Sequence, residues 1–60
     1  MYVVRDGALT VCSDEREASA VAMLRALVAT APGREDDLVL IELDPSGRPL
    51  GQPRDIFDLA

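Results

Sequence analysis

One segment with helical periodicity, residues 14–30, lies between two strand-prone segments, and this order restricts the fold more than any other feature. The chain has 60 residues, so we expect a single domain over residues 1–60. A helix of this length must pack its apolar side on another element, and only the strands can supply one. We therefore expect an α+β domain of order β-β-α-β-β, with a mostly antiparallel sheet and one helix packed on one face.

Residues 1–12 predict a β-hairpin. Asp6-Gly7 is a favoured pair for a type I′ turn, and it lies between two β-prone runs. If both residues form the loop, Val4 lies opposite Leu9. The same register places Tyr2 opposite Val11, so these four side chains are predicted to form one apolar face for the helix.

The helix is predicted over residues 14–30. Ser13 or Asp14 can cap its first turn, and with Asp14 as the cap Glu17 would complete a capping box. Ala31-Pro32-Gly33 ends the helix. Five apolar residues at helical spacing form a stripe that we expect to face the hairpin: Ala20, Val21, Leu24, Leu27 and Val28.

Residues 38–52 predict a second hairpin. The run from Leu38 to Leu43 is apolar at all but one position, which predicts an interior strand antiparallel to the first strand. Asp44 to Gly47 predicts a type I turn. Pro49 restricts the return strand to a sheet edge. Residues 54–60 predict a short C-terminal turn.

The charge of the chain argues against two classes of partner. Eleven acidic residues and six arginines give a net charge of −5, which repels nucleic-acid backbones and anionic membrane surfaces. The first residues lack the pattern of a signal peptide, and a lone cysteine is typical of a reducing compartment. We expect a cytoplasmic protein, and the absence of lysine beside abundant alanine suggests a GC-rich bacterial or phage genome.

No catalytic, cofactor-binding or metal-binding residue is predicted. The chain has no histidine, and Cys12 is followed by acidic residues whose charge opposes formation of a thiolate. Cys12 is therefore predicted to fill space in the core. The run from Glu35 to Asp37 lacks the alternating ligand spacing of a calcium loop, so we interpret it as a solvated loop.

The segment from Ser13 to Glu17, which runs into an amphipathic helix and then an apolar strand, resembles the small tautomerase family. Those proteins have a similar length and assemble from short β-α-β subunits. The resemblance would imply catalysis by an N-terminal proline exposed after removal of methionine. Here position 2 is Tyr2 and the first segment predicts a tight hairpin in place of one long strand, so the chain is not assigned to that family.

Two surfaces are predicted to bind a partner. The helix side away from the stripe carries small or apolar residues that let two helices approach closely, namely Ala18, Ala22, Met23, Ala26 and Ala29. The tail has an apolar side formed by Ile56, Phe57 and Leu59. It either docks on a partner or folds back over the second face of the sheet, which we expect to carry Val3, Leu38 and Leu40.

These features favour a small non-enzymatic protein-interaction or regulatory accessory module. It would form a homodimer through the helix or a sheet edge, or bind another protein. Two alternatives stay open. One is an acidic, phage-type inhibitor that mimics nucleic acid, which acids gathered on one surface would favour. The other is a minimal oligomeric enzyme with a site between subunits.

Overall fold

The computed structural model describes residues 1–59 and contains four strands and one helix. In chain order these are β1 (Tyr2–Asp6), β2 (Leu9–Asp14), α1 (Glu17–Thr30), β3 (Leu38–Leu43) and β4 (Pro49–Arg54). The strands form one sheet of order β2-β1-β3-β4, and every neighbouring pair is antiparallel. The predicted α+β class and the β-β-α-β-β order are confirmed.

The core lies between α1 and one face of the sheet. Val4 of β1 is paired with Leu40 of β3, and both side chains are fully buried. Ala20 and Leu24 of the helix are also fully buried against them, together with Leu38. The predicted helical stripe is confirmed, because its remaining members pack against this cluster: Val21, Leu27 and Val28.

The register predicted for the first hairpin is wrong. Asp6 pairs with Leu9, so the two-residue loop is Gly7-Ala8 and not Asp6-Gly7. Gly7 has φ of 63°, and among residues 1–59 only glycines have a positive φ. A type I′ turn needs positive φ at both loop residues, whereas a type II′ turn needs it only at the first, and Gly7 occupies that position.

A β-bulge also separates the two halves of this hairpin. Arg5 pairs with Thr10 but Val4 pairs with Cys12, so Val11 is the extra residue in β2. As a result Leu9 and Val11, predicted to lie in the core, are 65% and 40% exposed. Cys12 takes the place predicted for them, since it lies opposite Val4 and packs against the core. Its predicted role as a space-filling residue is confirmed.

The helix begins three residues later than predicted. Asp14 is the last residue of β2 and α1 starts at Glu17, with Arg16 as an N-cap that makes no side-chain cap hydrogen bond. The predicted capping box is therefore wrong. The Asp14 carboxylate accepts a hydrogen bond from the Arg16 backbone N–H instead (2.8 Å), which turns the chain from strand to helix.

The second hairpin follows the sequence prediction closely. The Gly47 backbone N–H donates to the Asp44 carbonyl (2.9 Å), and Gly47 has φ of 87°, a value that L-residues rarely adopt. β3 lies inside the sheet and β4 forms an edge, as Pro49 and Pro53 require. β4 extends to Arg54 because a bulge near Gly51, also at positive φ, lets it rejoin β3.

The tail folds onto the helix side of the molecule. Leu59 packs against the core cluster, and its carbonyl oxygen accepts a hydrogen bond from Arg25 of α1 (3.3 Å). The tail was predicted to cover the face of the sheet opposite the helix. This prediction is wrong, because Leu59 packs on the helix side instead. Leu38 and Leu40 belong to the helix face and are already buried. Residues 55–59 form turns, and residue 60 of the predicted 54–60 turn lies outside the described residues.

Candidate protein-interaction surface

The face of the sheet opposite α1 is aliphatic, although no helix or strand among residues 1–59 packs on it. Strand alternation and register bring five side chains to this side, which we call the open face: Val3, Arg5, Val39, Ile41 and Leu43. Val3 and Ile41 lie in the two central strands and are each only 6% exposed. Val39 and Leu43 are partly exposed. Strands with apolar side chains on both sides are typical of sheets that are covered on both faces.

Arg5 is the charged member of the open face. It lies between Thr10 of β2 and Val39 of β3, and its Nε atom is buried without a hydrogen-bond partner. The ion pairs formed within residues 1–59 involve other arginines, Arg34 and Arg54. A buried donor that lacks an acceptor is costly, because it has lost water without gaining a protein partner. The open face therefore contains an unsatisfied donor beside an aliphatic centre.

The carboxylates carried by the strands lie on the other face. Asp14 and Glu42 both pair with Tyr2, and Asp6 pairs with the buried Leu38, so all three belong to the helix side. The acidic character of the chain is thus absent from the strand residues of the open face. Thr10 and Ser13, which pair with Arg5 and Val3, place hydroxyl groups at its β2 rim.

The free edge at β2 is a second exposed feature. β2 has one neighbour in the sheet, and it contains neither proline nor a basic residue. Its exposed side chains include Leu9 and Val11. Natural sheet edges are usually protected by proline, lysine or a bulge, and β2 has only the bulge.

The predicted alanine surface of α1 is exposed. Ala18, Ala22, Ala26 and Ala29 are all accessible to solvent, and Met23 is partly exposed. A shallow, open depression lies along its N-terminal half, lined by Glu17, Ala18, Val21, Ala22 and Arg25. The depression has no enclosing wall, so it presents a surface and not a cavity for a small molecule.

The three predicted tail residues do not act as one surface. Phe57 is 65% exposed, whereas Leu59 packs against the core and Ile56 is partly buried. The turn is held by the Asp55 carboxylate, which accepts hydrogen bonds from the backbone N–H groups of Phe57 and Asp58, both at 3.0 Å. Phe57 is thus the only one of the three whose side chain is mostly exposed.

A small polar cluster surrounds Tyr2 at one end of the helix side. Burial raises the pKa of the Tyr2 phenol above its usual range, and the negative charge of Glu42 adds to this effect. A hydrogen bond with Glu17 and the charge of that carboxylate raise it further, while Arg54 opposes them. Arg54 also pairs with Glu17 at 3.9 Å, and both side chains are well exposed, so this pair contributes little to stability. The cluster joins β1, β3, α1 and β4, and it could not be identified from the sequence because its members are far apart in the chain.

Within residues 1–59 there is no group of three or more side chains arranged to hold a metal ion. The same part of the chain has no helix with the length and hydropathy required to cross a bilayer. No protein-family model, curated protein or solved structure matches this chain, so the geometry described above is the basis for assigning a role.

Proposed function

We propose that the chain is a small non-enzymatic protein-interaction module that binds its partner through the open face of the sheet. The observation that carries the proposal is that no helix or strand among residues 1–59 packs over this face, which leaves Val39 and Leu43 partly exposed beside the 6% exposed Val3 and Ile41. Strand pairs of this kind are usually covered on both sides. An uncovered aliphatic surface with a hydroxyl rim has the composition of a protein interface, which combines an apolar centre with a polar border.

A photo-crosslinking residue at Leu43 tests the proposal in the cells that encode the protein. Leu43 is partly exposed on the open face, so the reactive group is accessible and the fold tolerates the change. Ala26 on the helix and Arg48 in the β3–β4 turn are matched positions on other surfaces. We expect a protein adduct of defined mass from position 43 and none from position 48. An adduct from position 26 alone would move the binding site to the alanine surface, and no protein adduct from any position would overturn the interaction role.

Self-association through β2 is the second candidate, and it is favoured by an edge that exposes Leu9 and Val11 and has a bulge but no proline or basic residue. In this arrangement β2 of two copies would pair antiparallel about a twofold axis. Light scattering behind a sizing column, over a wide concentration range, measures the mass in solution. A dimer that Val11→Lys converts to monomer supports edge pairing, because a lysine on an edge strand opposes further pairing. A monomer at every concentration removes this candidate, and a dimer that persists in Val11→Lys but not in Ala22→Glu assigns the contact to the helix.

A further inference from the structure

We draw no further inference here: the strongest candidate, the shallow depression along the N-terminal half of α1 that Ala18, Ala22 and Arg25 line, is bordered mainly by small residues, and nothing in the structure of residues 1–59 shows what covers it.

Discussion

Val3 of β1 lies directly opposite Ile41 of β3 on the open face, one residue along from the buried pair Val4 and Leu40 on the helix side. The two central strands therefore present aliphatic side chains to both sides, although α1 covers only one of them. This pairing explains why a sheet of so few strands has an apolar centre on each face.

The same leucine-to-alanine substitution, made at a buried position and at an exposed position, tests the register of the first hairpin. Leu24→Ala removes a fully buried side chain and should lower the free energy of unfolding by about 2 to 5 kcal/mol. Leu9→Ala removes the same atoms from a residue that is 65% exposed, and should change it by no more than about 0.5 kcal/mol. Urea unfolding followed by circular dichroism measures both. A cost at Leu9 equal to that at Leu24 would contradict the structure and restore the register predicted from Asp6-Gly7.

Tyr2 is the only tyrosine in the chain, and there is no tryptophan, so its ionisation can be followed by ultraviolet absorbance without interference. Burial, the charge of Glu42 and the contact with Glu17 raise its pKa. We expect Glu42→Gln and Glu17→Gln each to lower that pKa toward the usual value of about 10. Because the folded-state pKa is raised, the stability linked to Tyr2 is present below the unfolded pKa and is lost as pH rises through the folded one. An unchanged absorbance titration in both variants would show that neither carboxylate acts on the phenol.

Asp44 should make the fold sensitive to acid. Its carboxylate accepts hydrogen bonds from the Ser46 hydroxyl (2.7 Å) and from the Arg48 backbone N–H (2.9 Å), and these bonds lower its pKa. A lowered folded-state pKa contributes stability above the unfolded value, about 3.9, and that stability is lost as pH falls through the folded value. Ser46→Ala should raise the Asp44 pKa, measured from its carboxyl carbon by NMR. Asp44→Asn should flatten the pH dependence of unfolding in the same acid range, and an unaltered slope would contradict the assignment.

Gly47 should resist substitution for a reason of backbone geometry alone. Its φ of 87° is unfavourable for residues with a side chain, yet nothing lies within 4 Å of the position that a Cβ atom would occupy. Gly47→Ala should therefore cost about 1 to 2 kcal/mol through backbone strain, and Gly47→Asn less, since asparagine tolerates the left-handed region better. Thermal unfolding of the two variants shows which of them is the less stable. Equal stability of Gly47→Ala and the unchanged chain would mean that the turn can rearrange.

Most elements of the fold could be predicted from local patterns, because outside the first hairpin each pattern had one consistent solution. The stripe centred on Leu24 and the proline-limited edge at Pro49 depend on residues close in sequence, and both are confirmed. The first hairpin has two solutions that differ by one residue. A bulge at Val11 can absorb that difference, so the Asp6-Gly7 signal alone could not decide between them.

The candidate surface was harder to predict than the fold. The sequence shows that Val39, Ile41 and Leu43 share a side, but which side the helix covers depends on the pairing of Val4 with Leu40 across the sheet. The sequence-based prediction assigned Leu38 and Leu40 to the uncovered side, and this was wrong. Arg5 gave no signal of its own, because a lone arginine in a strand becomes informative only when its neighbours and missing acceptor are known.

The two edges of the sheet differ in how well they are protected, and this difference limits how many copies could join through their sheet edges. β4 carries Pro49, Pro53 and a bulge, which oppose the addition of another strand, whereas β2 has a bulge but no proline. Addition at β2 by another copy presents a β4 edge at each end of the enlarged sheet. If β2 pairs with another copy, edge pairing would therefore stop after one step, and the asymmetry of the two edges would protect the chain from forming fibres by this route.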